Sequence, residues 1–181
     1  MIPILLKVLR TGIRSEEPPQ VREEWRVRAA AIQGDILRML DRALVIRQVD
    51  AGSCNGCELE INALNNPYYN IEGLGIRFAA SPRHADMLLV TGPVTRNMEE
   101  ALRIAYEAMP EPKLVVAAGD CGCDGGIFGE SYATRGGVAS VIPVDVAVPG
   151  CPPTPVELLQ GILTAVSQVH APEARITSPR A

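Results

Sequence analysis

Aromatic residues are scarce in this 181-residue chain: one Trp, four Tyr and two Phe, 4% of the whole. A packed interior must therefore be built from Val, Ile, Leu, Ala and Met. Histidine is scarcer still, with only His84 and His170. Long apolar runs are missing. Ile2-Pro3-Ile4-Leu5-Leu6 is cut at Lys7 and again at Arg10, well short of the roughly 18–20 residues of a membrane span. It is also shorter than the roughly 7–15 residues of a secretory h-region, and no small-residue cleavage site follows. A soluble, cytoplasmic chain is expected. Charge of one sign is not in great excess: the net charge is −4. Residues 1–48 hold nine Lys/Arg and six Asp/Glu, a balance of +3, and residues 49–181 hold eight and fifteen, a balance of −7. This is too mild for nucleic acid, which needs a strong basic patch. It suggests that the N-terminal segment faces a different partner from the rest. No internal repeat, P-loop, Ser-His-Asp set or Gly-x-Gly-x-x-Gly opening a first helix occurs.

What is present fits a packed globular protein of one ordinary domain: 47% hydrophobic and 21% charged residues. The 16 Gly and 15 Pro crowd around the cysteines, as backbone shaped to fit something would. Five cysteines, two of them in Cys-x-x-Cys spacing, favour metal or redox chemistry over structural disulfides in an unexported chain.

Apolar residues recur at helical spacing from Val21 to Leu44 (Val21, Trp25, Ile32, Ile36, Leu40), with Arg22, Glu23, Glu24, Arg28 and Arg42 on a polar side. Such a helix either packs on its own domain or faces a partner or membrane surface. Short apolar runs then read as strands: Leu44–Val49, Ile76–Ala79, Met87–Val90, Leu114–Ala118 and Val144–Val148. Largely apolar throughout, they suit burial on both faces. Helical patterns run through Met98, Ala101, Leu102, Ala105, Tyr106 and Met109, and through Leu158, Leu159, Ile162, Ala165 and Val166. This alternation predicts an α/β fold, a parallel sheet with helices on both faces. The expected organisation is an N-terminal helical extension over 1–44, a cluster-binding domain over 45–169 and a flexible tail over 170–181.

Cys54 and Cys57 follow the first strand, Cys121 the run Leu114–Ala118, and Cys151 the run Val144–Val148. Ligands of open α/β sheets bind beyond the carboxyl ends of the strands, so three loops from one edge can gather four thiolates. Alone, Cys54-Asn55-Gly56-Cys57 is open between zinc, an iron–sulfur cluster and a thioredoxin-type dithiol. Zinc ribbons bring a second close pair. Here 63 residues separate Cys57 from Cys121 and 29 separate Cys121 from Cys151, which suits a cube-shaped cluster. Glycines around Gly119-Asp120-Cys121-Gly122-Cys123-Asp124-Gly125-Gly126 let backbone come close to a bulky inorganic ligand. Cys123 reads as a spare thiol. Cys151-Pro152 matches a pairing that recurs in iron–sulfur ligation. Both histidines lie away from these loops, which disfavours a Rieske-type site and leaves them to surface solvation. Glu58 and Glu60 could relay protons, but solvated or hydrogen-bonded structural roles are preferred for them.

These residues resemble the small subunit of [NiFe]-hydrogenases and the homologous 20 kDa subunit of respiratory complex I, over about residues 46–168. The resemblance rests on Asp50-Ala51-Gly52-Ser53-Cys54-Asn55-Gly56-Cys57-Glu58, on Ala85-Asp86 through Val90-Thr91-Gly92-Pro93-Val94-Thr95, on Gly119-Asp120-Cys121 with Gly125-Gly126, and on Val148-Pro149-Gly150-Cys151-Pro152-Pro153. It implies a flavodoxin-like fold and one [4Fe–4S] cluster on Cys54, Cys57, Cys121 and Cys151, with Cys123 unused. Complex I members typically carry adjacent cysteines in the first motif. The Cys54-x-x-Cys57 spacing looks like the hydrogenase side, and the lack of further cysteine motifs looks like the one-cluster, membrane-complex type, such as formate hydrogenlyase or energy-converting hydrogenases. The implied role is electron transfer beside a large subunit, which in the hydrogenase reading carries nickel and iron. A ferredoxin-like iron–sulfur subunit and membrane subunits are the other implied partners, on the cytoplasmic side of the membrane. A complex I-type subunit passing electrons to quinone, with possible quinone binding, and a zinc-stapled scaffold are the alternatives.

Overall fold

The computed structural model describes residues 2–12, 27, 30, 33–34, 36–38 and 41–168. Five short strands form its centre: β1 (Leu44–Asp50), β2 (Ile76–Phe78), β3 (Met87–Thr91), β4 (Leu114–Ala118) and β5 (Val146–Val148). They lie in the order β2-β1-β3-β4-β5, and every neighbouring pair is parallel. β3 and β4 are buried at all five positions, which explains their unbroken apolar runs.

The period-two alternation survives inside the core. Met87 and Leu89 of β3 join one apolar cluster, with Val116 and Ala118 of β4; Leu88 and Val90 join the other, with Val115 and Ala117. Helices α2 (Gly56–Ala63) and α5 (Pro155–Gln168) cover the first face through Ile61, Leu158, Leu159 and Ile162. Helix α3 (Arg96–Glu107) covers the second through Leu102. The expected two-sided α/β sandwich is therefore present.

Local chemistry sets the ends of these elements. Asp86, 5% exposed, accepts the Val45 amide at 3.0 Å and the Arg42 guanidinium, fixing the start of β1 against β3. β5 is shorter than the run Val144–Val148 suggested. Asp145 turns its carboxylate to the Val115 amide at 2.8 Å, so its side chain holds that edge ahead of the strand. At α5, the Thr154 amide and hydroxyl donate to Glu157 Oε2, each at 2.8 Å, and the Glu157 amide returns to Thr154 Oγ1 at 3.4 Å. This is a reciprocal capping box, with Pro155 in the first turn.

The helical pattern expected over 21–44 falls largely outside the described residues. Of those described, Ile36 is fully buried in the first apolar cluster, while Val27 and Leu37 are exposed. Leu44 belongs to β1. A further helix, α1 (Ile2–Thr11), was not anticipated. The expected tail 170–181 and His170 lie outside the described residues.

Candidate metal centre

The chain leaves β1, reverses to β2 at one edge, and returns to β3 on the other side. Such a reversal opens a crevice at the carboxyl ends of the strands, and there the cysteine loops meet. The loop after β1 is shaped by Asp50, whose Oδ1 accepts the Gly52 and Ser53 amides at 2.8 and 2.7 Å. Thr95 donates its hydroxyl to Ala51 O at 3.1 Å, tying that loop to the one after β3. Cys54 stands at the turn, and Cys57 lies in the first turn of α2.

Cys121 sits in a second short helix that sequence periodicity did not reveal, α4 (Gly119–Asp124). Asp120 fastens this loop to that of Cys151. Its amide donates to Gly150 O at 2.9 Å, and its Oδ1 accepts the Gly150 amide at 2.7 Å. Two cysteine loops 30 residues apart are thus held in register by one residue.

All four expected cysteines line one cavity of about 130 Å³, with Gly119 and Gly150 in its wall. Cys54, Cys121 and Cys151 also line a wider cavity of about 430 Å³, where Ile127 and Phe128 join them. Cys54 and Cys151 are exposed; Cys57 and Cys121 are partly buried. The thiols influence each other. Burial pushes Cys57 up to about 11, with Glu58 and then Cys54, Cys121 and Cys151 adding to the rise. Burial also raises Cys121, followed by Cys151 and Cys54. Four thiolates at this site would need positive charge between them, which a metal group would supply.

The backbone leaves room for such a group. A Cβ on Gly119 would come within 2.6 Å of Cys57 Sγ, and one on Gly126 within 3.0 Å of Cys121 Sγ. Among the described residues no group of three or more His, Cys, Asp or Glu side chains is placed to hold a metal ion. Four soft thiol donors with glycine in the wall between them are the donor set of a thiolate-bound metal group.

Cys123 does not line the cavity; its Sγ lies 4.0 Å from Ala117 O. Burial, then Asp120 and Asp124, pushes its thiol up to about 11. His84 is exposed. Glu60 is partly buried. Glu58 departs from expectation: it is 7% exposed and neither carboxylate oxygen has a hydrogen-bond partner. It is neither solvated nor hydrogen-bonded, because α2 starts immediately at the cysteine pair and turns this side chain inward. An unsatisfied buried polar group costs about 1–3 kcal/mol. Glu58→Met is therefore expected to stabilise the isolated chain by a similar amount, read as a higher midpoint in urea unfolding. An unchanged or lower midpoint would show that Glu58 has a stabilising role in the fold.

Residues 54–165 match the family described as NADH ubiquinone oxidoreductase, 20 Kd subunit. The chain is 42% identical to formate hydrogenlyase subunit 7 of Escherichia coli over 146 residues, 78% of this chain and 57% of that protein. It is 44% identical to the probable membrane-bound hydrogenase subunit mbhJ of Pyrococcus furiosus, over 74% of this chain and 80% of that one. Among solved structures it resembles a chain of the membrane-bound sulfane sulfur reductase, an archaeal respiratory membrane complex, with a TM-score of 0.65, 33% identity, and coverage of 79% of this chain and 78% of that one. By its matched residues, its parallel sheet and these relatives, the chain belongs to the family of the 20 kDa subunit of NADH ubiquinone oxidoreductase, which includes hydrogenase subunits of the formate hydrogenlyase type.

Proposed function

We propose that the chain holds one [4Fe–4S] cluster on Cys54, Cys57, Cys121 and Cys151 and serves as the electron-transfer subunit of a membrane-associated, [NiFe]-hydrogenase-like complex. The observation that carries this reading is the meeting of four thiols, from three loops, around one cavity. When bound there, a cluster supplies one-electron transfer at a potential tuned by burial and by hydrogen bonds to sulfur. The protein's share is structural. Asp50 shapes the first loop, Asp120 locks the second to the third, and the glycines keep side chains out of the cavity. The chain supplies no substrate site of its own in this reading; the catalytic centre belongs to a large partner subunit.

Exposure of Cys54 and Cys151 supports that partnership, since a cluster there needs a second surface to exclude water. Ile127, 94% exposed, and Phe128 flank the same opening and offer apolar contact. A ferredoxin-like iron–sulfur subunit and membrane subunits complete the proposed assembly, on the cytoplasmic side of the cell membrane. Among the described residues no helix is long and apolar enough to cross a membrane. The spacing Cys54-x-x-Cys57 and the names of the relatives favour the hydrogenase type. The family description itself supports a second reading, a complex I-type subunit delivering electrons to quinone.

Anaerobically purified chain is expected to carry about four irons, and its reduced form a single cubane signal in electron paramagnetic resonance. Zinc without iron would refute the proposal. Nickel and hydrogen-dependent dye reduction in the co-purified complex select the hydrogenase reading. A nickel-free partner with quinone-dependent turnover selects the other.

A further inference from the structure

Asp120 is the one Asp or Glu among the described residues that line the smaller cysteine cavity, and no Lys, Arg or His among them lines either cavity. Asp124 joins it only in the wider cavity, where it is exposed and screened by water. Asp120 is partly buried. It precedes Cys121 in the chain, and its Oδ1 accepts the amide of Gly150, which precedes Cys151, at 2.7 Å. The carboxylate is therefore fixed between two of the thiol-bearing residues. The Asp120 amide donates to Gly150 O at 2.9 Å and closes a ring between the two loops. Only one bond of that ring uses the side chain. A neutral side chain with an acceptor oxygen at the Oδ1 position keeps the ring closed, so geometry and charge are separable at this residue.

We propose that Asp120 is a positioning residue with two separable roles: its hydrogen bond clamps the Cys121 loop to the Cys151 loop, and its charge lowers the reduction potential of the cluster. The inference deepens the electron-transfer reading and rests on it. Adding one electron at the site adds one negative charge. A fixed carboxylate in a partly buried wall opposes that addition, and the charge around a cluster is one of the determinants of its potential. No cationic side chain among the described lining residues offsets it. The clamp serves a different end. It holds two singleton thiols, 30 residues apart, in one register, so that loading does not have to order both loops at once. A lowered potential suits exchange with a strongly reducing couple such as that of hydrogen.

Redox titration of the full-length, iron-loaded chain with dithionite, followed by its cubane paramagnetic signal, tests the charge. Asp120→Asn keeps an acceptor oxygen for Gly150 and removes the charge. Its iron content and signal shape are expected to match the parent's. Its midpoint moves to more positive potential, by about tenfold in the reduced-to-oxidised ratio at a fixed applied potential, or about 59 mV for one electron. Glu107→Gln removes the same charge from the exposed last turn of α3. That turn lies at the opposite end of the sheet from the cysteine loops, since α3 runs back against the strands, and the midpoint should not move. Asp120→Ala tests the clamp: iron passes to a chelator about ten times faster than from the parent, and Asp120→Asn restores the parent's rate. An unmoved midpoint in Asp120→Asn, or an equal shift in Glu107→Gln, overturns the charge role. Parental iron retention in Asp120→Ala overturns the clamp. An Asp120→Asn chain that folds but loads no iron overturns the separation of the two roles. A parent chain without a cubane signal removes the electron-transfer reading itself; a parent with the signal and an unmoved Asp120→Asn midpoint removes only this inference.

Discussion

Cys151→Ser is expected to lower the iron content from about four per chain to below one and to abolish the cubane signal of the reduced protein. Cys151 is a singleton on its loop, and neither Pro152 nor Pro153 beside it can donate a backbone N–H to a neighbouring sulfide. Serine offers a hard oxygen where the cluster requires soft thiolate. The fold should not suffer. Cys151 is exposed, and its loop is held from outside by the Asp120–Gly150 contacts and the α5 capping box. Surface substitutions of this kind stay within about 0.5 kcal/mol, so unfolding of the metal-free forms should be indistinguishable between variant and parent. Cys123→Ser is the matched control. Its sulfur faces Ala117 O, away from the cavity, and its variant should keep full iron. If the Cys151 variant kept its iron and the Cys123 variant lost it, the ligand set would have to be redrawn.

How much of this was readable in advance depends on the physical origin of each signal. Strands buried on both faces have no polar side, so Met87–Val90 and Leu114–Ala118 announce themselves as runs of Val, Leu, Met and Ala. The cysteines then fall at strand ends by position alone, and the convergence on one cavity follows from parallel topology. Two helices at the site escaped notice because they are too short to show a period. α2 spans eight residues and α4 six, and their glycines and cysteines read as turn. The inward turn of Glu58 depends on where α2 begins, which one residue of register decides. α1 escaped for a different reason. In sequence Lys7 and Arg10 read as breaks in an apolar run, whereas in the fold they lie three residues apart on one helix. Ile36 shows the opposite case: its burial in the main core depends on packing against a sheet distant in sequence.

The Asp86 contact illustrates how a motif residue acquires a physical meaning. Sequence resemblance marks Ala85-Asp86 as part of the family pattern without a role. In the fold, Asp86 is buried and bonded to the Val45 amide and to Arg42. Its own amide donates to Val45 O at 2.8 Å, and its carbonyl accepts the Leu114 amide at 3.0 Å. One residue thus aligns the entrances of β1, β3 and β4. The cysteine loops at the far ends of β1 and β4 inherit that alignment, since each strand is only five to seven residues long.

Gly119→Ala is expected to abolish cluster binding for a steric reason that a second glycine can isolate. Gly119 has φ +82°, a left-handed conformation that costs an alanine about 1–2 kcal/mol. Its new Cβ would also lie 2.6 Å from Cys57 Sγ, so the sulfur has to move. A cluster on fixed loops tolerates little displacement, because the other three thiols are set by Asp50, Asp120 and the α5 cap. Gly75 has nearly the same backbone, φ +80°, but open space where its Cβ would go. Gly75→Ala therefore carries the backbone strain without the clash. Both variants should lose about 1–2 kcal/mol of unfolding free energy to backbone strain in the metal-free state, and Gly119→Ala a further amount from displacing Cys57 Sγ. Only the Gly119 variant should lose iron and its paramagnetic signal. Equal iron loss in both would trace the effect to strain alone, and full iron in Gly119→Ala would mean that Cys57 Sγ is not bound in the position from which the cavity was assigned.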